Sequence, residues 1–473
     1  MRSERAHASA LAAILTLQLM LTLDAQVMTV ALPTIRDDLG FTPAQLSWVP
    51  NGYAVTFGGL ILLGGRLGDA FGRVRVFLLG TALFVAASLV GGLAFDPVML
   101  IGARVAQGVG AAVAAPSVLA LIATMARNDG ERARGLAYFT AISAIGASAG
   151  LILGGVLTDL ASWRWGLLIN APIGLVVMIV VGRLVKDGPA HATGGFDVLG
   201  GLLATLGSVS LVWSFIFAAD HGWSSPSTIL FLVAAAGLIT ALVVVERRSR
   251  SPLIAVHLLR SGPRVAALVN MGLVLGAHFA MLFFIPQYLQ RVLDFSPLQA
   301  GFAFLPMTVT IFVVTSWVPD WVVRFGPRPL LVLGGILMTA SFVLWSPLDG
   351  SSGYVGVLVP LLVHAVGAAL IFTSGTLVAM DQVPDADAGS GSGMLQMVQQ
   401  IGGSLGIAIT VSVYAAGAVD DQFVPGLRAA ILTAGGLAAL ATLVAAVSIG
   451  RRGESSPRTG TLTSSDSKVD DHA

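Results

Sequence analysis

The stretch LQLMLTLDAQVMTVALP, residues 17–33, is apolar almost throughout and holds one aspartate, Asp24, near its middle. As a helix, a run of this length can cross a hydrocarbon core of about 30 Å. Thirteen more apolar runs of similar length follow it. Only 11% of the 473 residues are charged, against roughly 25% in soluble domains. The sequence therefore predicts an all-α polytopic membrane protein with fourteen transmembrane helices.

Basic residues are distributed unevenly among the loops that join these runs. Of the 26 Lys and Arg residues, 21 lie in one set of alternate loops and chain ends, four lie in the other set, and Arg104 lies inside a run. Because cytoplasmic loops carry the excess of Lys and Arg, we expect both termini to lie in the cytoplasm. Residues 451–473 are polar and lack periodicity, which predicts a disordered cytoplasmic tail.

Three short motifs occur twice, at an almost constant distance along the chain. FTPAQ at 41–45 returns as FSPLQ at 295–299, FGRVR at 71–75 as FGPRP at 325–329, and IGASAG at 145–150 as IGGSLG at 401–406. The offsets are 254, 254 and 256 residues, and each pair has the same place in the order of the apolar runs. Three matches in this order indicate an internal duplication.

The duplication divides the chain into two six-helix bundles with an insertion between them. We expect an N-terminal bundle at residues 1–188, two linker helices at 189–262 and a C-terminal bundle at 263–450. Transporters built from repeated halves bind substrate near the middle of the membrane, where the halves meet, and move by rocking one half against the other. This organisation favours a transporter.

Four motifs carry a resemblance to a known family. GGRLGDAFGRVR at 64–75 resembles the signature loop of the major facilitator superfamily, with these residues in register: Gly65, Asp69, Gly72 and Arg73. Three others resemble motifs of helices one, four and five in its fourteen-helix drug:proton antiporters: LDAQVMTVALP at 23–33, RVAQGVGAA at 104–112 and GASAGLILGG at 146–155. The resemblance implies the major facilitator fold, with two six-helix bundles plus two inserted helices.

The chain departs from the family's pattern in two of these motifs. Leu151 stands where the fifth-helix motif has a proline. Gln26 and Thr29 stand where the first-helix motif has Thr and Asn. These departures concern the substrate range and the coupling, and leave the implied fold unchanged.

Asp24 and Arg104 are the candidate proton-coupling pair. A charged side chain at a helix centre costs about 2.5–3.5 kcal/mol, so such residues usually face a cavity or a partner. Counted from Pro33 and Pro97 at 1.5 Å per residue, the two lie at similar depths, so we expect contact. Burial favours the neutral form of a carboxyl group and a nearby cation favours the charged form, and a group balanced between them can carry a proton. The alternative is a permanent structural salt bridge.

The loop at 64–75 has two interpretations. The structural interpretation is a tight turn formed by Gly65 and Gly72, with arginines that follow the charge bias of cytoplasmic loops. The functional interpretation, which the resemblance implies, is a conformational latch between Asp69 and Arg73 that stabilises an outward-open state. The second copy of the motif has Val323 where Asp69 aligns, so we expect one intact latch.

Four glycines of the fifth predicted helix, the antiporter-motif helix, are spaced for close packing: Gly146, Gly150, Gly154 and Gly155. Small residues at intervals of four allow helices to approach closely. We expect this face to form a tight contact that limits leakage between the halves, and simple close packing is the alternative.

His278 is a candidate second titrating group. Subtraction of the 254-residue offset places it at the position equivalent to Asp24, so we expect it to face the central cavity. A neutral histidine hydrogen-bonded to a neighbouring helix is the alternative, and we expect a similar polar contact for His364. Further residues are candidates for the substrate cavity: Met28, Tyr53, Phe283 and Gln287.

Together these features and the resemblance predict a monomeric bacterial inner-membrane protein that exports amphipathic, often cationic drugs or antibiotics in exchange for protons. A proton-coupled symporter or facilitator of a small metabolite is the alternative function. The sequence has no metal-ligand cluster and no nucleophile–base pair. We therefore expect no enzyme activity, no metal, no cofactor beyond the proton gradient and no nucleic-acid partner.

Overall fold

The computed structural model describes residues 2–126, 128–186, 198–248, 256–383, 388–417 and 423–448, and within these ranges the chain is helical with short connections and no strand. A 3₁₀-helix spans Val256–Arg260. The α-helices are α1 (Arg2–Leu39), α2 (Pro43–Leu46), α3 (Trp48–Phe71), α4 (Arg73–Gly92), α5 (Pro97–Met125), α6 (Asp129–Leu160), α7 (Arg164–Leu168), α8 (Asn170–Leu184), α9 (Val198–His221), α10 (Pro226–Arg248), α11 (Gly262–Arg291), α12 (Pro297–Ala303), α13 (Leu305–Phe325), α14 (Pro327–Trp345), α15 (Tyr354–Met380), α16 (Ala388–Gly417) and α17 (Phe423–Ser448).

The prediction of an all-α multi-span membrane protein is confirmed. Among the described residues, thirteen helical segments are long and apolar enough to cross a membrane. The remaining predicted span, 136–158, lies within α6, whose described residues include the apolar segment Ala149–Leu160. Three of the thirteen spans consist of two consecutive helices: α2 with α3, α7 with α8, and α12 with α13.

The first repeated motif forms the same helix start in both copies. Thr42 and Ser296 cap α2 and α12: each side-chain oxygen accepts from the backbone N–H of a glutamine three residues on, Gln45 or Gln299. The glutamine side chain accepts from the backbone N–H of the capping residue in return. A proline follows each cap, where its missing N–H costs no helical hydrogen bond. Each copy of the motif therefore begins a helix in the same way.

The second repeated motif forms the same tight connection in both copies. Gly72 separates α3 from α4 with φ of 98°, and Gly326 separates α13 from α14 with φ of 83°. Side chains with a Cβ adopt such positive φ values at a cost, whereas glycine does not. The two glycines are 254 residues apart, the same offset that relates the motifs.

Helix pairing follows the repeat as well. In the first repeat, α1–α8, the neighbours include α1 with α6, α3 with α5 and α4 with α5. In the second repeat, α11–α17, the corresponding neighbours are α11 with α16, α13 with α15 and α14 with α15. The repeats meet where α3 packs on α16, α6 on α12 and α1 on α11.

The inserted helices pack unequally on the repeats. α9 contacts α3 of the first repeat and α16 of the second, whereas α10 packs mainly on α9. The ring centroids of Trp48 and Trp213 are 5.0 Å apart at the α9 contact. A Cβ on Gly59 would lie 2.5 Å from the hydroxyl oxygen of Thr205, so α9 approaches α3 closely at this point. The first inserted helix therefore bridges the two repeats.

Candidate functional site

The carboxylate of Asp24 is buried inside the first repeat and accepts hydrogen bonds from three side chains. Its side chain is inaccessible to solvent. Oδ2 accepts from Nη1 of Arg104 in a buried ion pair. Oδ1 accepts from Nε2 of Gln107 at 3.0 Å and from Nδ2 of Asn170 at 2.7 Å. Contact between Asp24 and Arg104 was predicted from their depths, and the structure brings them together.

Arg104 is held by further groups of the same repeat. Its Nε donates to the carbonyl oxygen of Val49 at 3.0 Å, and Nη1 also donates to Oε1 of Gln107 at 2.9 Å. The guanidinium carbon lies 4.7 Å from the centroid of the Tyr53 ring, a cation–π distance. α5 thus supplies the cation, and α1 and α3 supply groups that fix its position.

Sequence reasoning missed three members of this network. Gln107 belongs to the motif at 104–112 without having been assigned a role, and Asn170 and Ser88 were assigned none either. The Ser88 hydroxyl accepts from Gln107 Nε2 at 2.7 Å and from Asn170 Nδ2 at 3.3 Å, while it donates to the carbonyl of Phe84 at 2.8 Å. Ser88 therefore orients the two amides that bind the carboxylate.

This arrangement links proton binding to movement of a side chain. Both oxygens of Asp24 face N–H donors, so a proton added to either one meets another hydrogen. The amides of Gln107 and Asn170 can turn to present an oxygen, but a guanidinium group offers donors alone. A proton on Oδ2 therefore requires Arg104 to move.

A cavity of about 560 Å³ lies between the two repeats, next to this pair. Its lining is largely apolar and comes from α1, α3 and α5 on one side and from α11 and α16 on the other. The lining residues are Ala25, Gln26, Thr29, Leu32, Pro50, Tyr53, Ala54, Arg104, Phe279, Leu282, Phe283, Gln400 and Ile407. A largely apolar lining with a few polar groups is typical of sites for small amphipathic molecules.

The four residues predicted for the substrate cavity are divided between different places. Tyr53 and Phe283 line the cavity. Met28 is buried and faces α7, where its Cε would lie 3.0 Å from a Cβ on Gly166. Gln287 lines a smaller neighbouring cavity of about 240 Å³ and donates to the carbonyl of Phe283 at 2.7 Å.

His278 does not line the central cavity, contrary to the prediction. Its Nδ1 lies 2.9 Å from Nε2 of His364, whose Nδ1 lies 3.2 Å from the Ser341 hydroxyl. The residue that lines the cavity at this level is Phe279. Asp24 likewise points into its own bundle, so the two equivalent positions both face away from the cavity. The second repeat holds a buried histidine cluster where the first repeat holds a carboxylate.

The latch residues lie around the connection between α3 and α4. Gly72 adopts positive φ, as described above, and a Cβ on Gly65 would have ordinary contact with Pro116 at 3.7 Å. Arg73 Nη1 donates to the carbonyl of Ala120 in α5 at 3.4 Å. The side chain of Asp69 lies outside the described part of the structure, so its pairing with Arg73 stays a prediction.

The glycines of α6 face two different neighbours. A Cβ on Gly146, Gly150 or Gly154 would lie 3.0, 2.7 or 2.7 Å from atoms of α1, within the same repeat. A Cβ on Gly155 would lie 2.5 Å from the carbonyl oxygen of Pro297 in α12. The expected single face between the halves is therefore wrong: three glycines join α6 to α1, and Gly155 alone of the four contacts the other repeat. α6 continues as a helix through Leu151, where the family's motif has a proline.

Two helical repeats around a cavity, with a buried ion pair at its wall, are the architecture of a membrane transport protein. The family model of the Major Facilitator Superfamily matches residues 14–407. The chain belongs to that superfamily, as the signature motifs had indicated.

Several similar proteins are antibiotic resistance or export proteins. The chain is 35% identical over 470 residues to a puromycin resistance protein of Streptomyces alboniger. The alignment covers 96% of this chain and 93% of the relative. It is 37% identical to a cephamycin export protein of Amycolatopsis lactamdurans, over 85% of this chain and 84% of the relative. It is 34% identical to a lincomycin resistance protein of Streptomyces lincolnensis, over 92% and 90%.

Solved structures support the fold alone. A peptide transporter crystallised with sulfate has a TM-score of 0.69 and 16% identity, over 94% of this chain and 97% of that chain. A bacterial homologue of the lysosomal transporter Spinster, in an inward-facing conformation, has a TM-score of 0.68 and 15% identity, over the same shares of the two chains.

Proposed function

We propose that this protein exports amphipathic drugs or antibiotics across a bacterial cell membrane in exchange for protons, by alternating access. The observation that carries the proposal is the buried Asp24–Arg104 pair at the wall of a cavity between two repeats. The names of the relatives, which are resistance or export proteins for puromycin, cephamycin and lincomycin, support the substrate class.

The geometry supports a direct link between the proton and the cavity. With Asp24 ionised, Arg104 is neutralised by its partner and fixed by Val49 and Gln107. When Asp24 takes a proton on Oδ2, Arg104 loses its counter-charge and has to move, and because Arg104 lines the cavity the binding surface changes with it. Bound substrate and bound proton thereby disfavour each other, which is the condition for antiport.

The proton gradient is sufficient to drive such export. One elementary charge moving inward across 100 mV yields about 2.3 kcal/mol, which corresponds to roughly a 50-fold gradient of a neutral substrate. We propose that no other cofactor takes part, that the protein acts as a monomer with both termini in the cytoplasm, and that it has no nucleic-acid partner.

Transport in proteoliposomes tests the proposal. Purified protein is reconstituted, a pH difference is imposed, and the accumulation of radiolabelled puromycin or lincomycin is followed with and without an uncoupler. We expect accumulation that the uncoupler abolishes and that Asp24→Asn lacks. Asp37→Asn is the matched control, because Asp37 is an exposed residue of the same helix.

Three results would contradict the proposal. One is the absence of pH-driven accumulation by the wild-type protein. Another is uptake in the direction of the proton, which would indicate the symport alternative. The third is Asp24→Asn protein that concentrates substrate as well as the Asp37→Asn control does.

A further inference from the structure

Two glutamine side chains, one from each repeat, face the central cavity with unpaired amides. Gln26 belongs to α1 and Gln400 to α16, and both line the cavity. Within the described part of the chain, neither amide forms a hydrogen bond, and Gln26 Oε1 is a buried acceptor without a partner. A buried acceptor without a partner costs about 1–3 kcal/mol. Such groups are uncommon in native proteins, and this pair lies where a ligand would supply the missing bonds.

Two other polar residues of the cavity, Thr29 and Arg104, are already engaged. The hydroxyl of Thr29 donates to the carbonyl of Ala25 one turn earlier, at 3.3 Å. Arg104 is bound to Asp24, Gln107 and Val49. Most of the remaining lining is aliphatic or aromatic. Together with the Tyr53 hydroxyl, the two glutamine amides are therefore the polar groups placed to orient an amphipathic molecule.

The charge of the cavity indicates what these amides bind. Among the described residues that line it, Arg104 is the one with a formal charge, and that charge is positive. Asp24, the nearest carboxylate, is inaccessible to solvent, and donors occupy both of its oxygens. A substrate ammonium group would thus meet a cation and no available anion, whereas an uncharged O–H or N–H group would meet a free amide oxygen.

We propose that Gln26 and Gln400 determine substrate specificity by binding uncharged O–H or N–H groups of an amphipathic substrate, one glutamine from each repeat. The inference rests on the proposed function for the identity of the cavity as the substrate site. It assigns the two glutamines to uncharged O–H or N–H groups of the substrate and gives them no part in binding an ammonium group. Gln26 is also a position where this chain departs from the first-helix motif of the family.

Equilibrium binding in nanodiscs, without a pH gradient, tests this inference. The probes are the fluorescent amine N-phenyl-1-naphthylamine, which has one N–H, its N-methyl derivative, which has none, and the permanent cation ethidium. We expect the wild-type protein to bind the N–H amine about 3- to 10-fold more tightly than the methylated one, the range expected for one neutral hydrogen bond. Ethidium binds more weakly than the N–H amine.

Variants connect the preference to the two glutamines. Gln26→Met and Gln400→Met, which keep side-chain length, should each reduce the preference for the N–H amine, and the double variant should abolish it. Gln26→Glu should raise ethidium affinity about 10-fold by adding the missing carboxylate. Gln18→Met is the control, because Gln18 lies on the same helix outside the cavity and donates to Ser143 at 3.0 Å.

Several outcomes would overturn the inference: no binding or no discrimination by the wild-type protein, equal loss of preference in Gln18→Met, or ethidium as the tightest ligand. Failure of pH-driven transport with this binding pattern intact would count against the proposed function and leave the specificity assignment standing. Normal pH-driven transport without this discrimination would count against the specificity assignment and leave the proposed function standing.

Discussion

The ion pair between Asp24 and Arg104 should behave as a coupled unit in unfolding experiments. Both side chains are buried, and each is the other's charged partner. Removal of one member of a buried pair typically costs about 3–5 kcal/mol because the remaining charge stays buried without compensation. We therefore expect Asp24→Asn and Arg104→Gln each to lower the free energy of unfolding by about that amount. The double variant, which buries no charge, should fall short of the sum by about 3 kcal/mol.

The two single variants should differ in their response to pH. Arg104→Gln leaves a carboxyl group that can be neutralised by a proton, so its cost should shrink as the pH is lowered. Asp24→Asn leaves a guanidinium group, which stays protonated at every accessible pH, so its cost should not change. The asparagine oxygen can accept from Arg104, but its amide N–H group then faces the amides of Gln107 and Asn170, which must turn to present their oxygens.

Unfolding by SDS in mixed micelles, followed by circular dichroism at pH 5 and pH 8, measures these quantities. Asp37→Asn, an exposed substitution on α1, should change the free energy of unfolding by less than about 0.5 kcal/mol. Additivity of the two single variants within about 0.5 kcal/mol would refute the reasoning, because independent sites add and a buried charge pair does not.

Further predictions concern close packing and buried hydrogen bonds, and the same SDS titration checks them. Gly154→Ala places a Cβ 2.7 Å from a backbone oxygen of α1 and should cost about 1–3 kcal/mol, whereas Gly102→Ala, with no atom within 4 Å, should not destabilise. Asn170→Leu removes a 2.7 Å hydrogen bond to the buried carboxylate and should cost about 1.5–3 kcal/mol; no loss would show that the bond is unimportant. Arg264→Met leaves three carbonyl oxygens without their buried donor and should cost at least about 1–3 kcal/mol, whereas Arg260→Met, on an exposed side chain, should have little effect.

Much of the fold could be predicted from sequence because it depends on local signals. Apolar runs mark the spans, and the duplicated Thr42 and Ser296 caps and the Gly72 and Gly326 connections are fixed by residues within a few positions of one another. The contact of Asp24 with its cation could also be predicted, since depth along a helix follows from counting residues.

The remaining errors concern rotation about helix axes. Successive residues of an α-helix point about 100° apart, so a depth argument cannot distinguish His278, which faces its own bundle, from Phe279, which lines the cavity. The same limit concealed Asn170, which points to the carboxylate from a helix far away in sequence. In the glycine motif, Gly155 lies beside Gly154 in sequence yet contacts a different repeat.

The inserted helix α9 packs between the two repeats, and movement of one repeat against the other need not break its buried hydrogen bonds. Its buried hydroxyl groups, those of Thr205, Ser208 and Ser214, donate to carbonyl oxygens of α9 itself, at 2.7–2.8 Å. None of these three bonds has to break when α3 or α16 slides past the helix. The contact of α9 with the repeats therefore depends on burial of apolar area, and these three hydroxyl groups add no polar bond that would tie one repeat to the other.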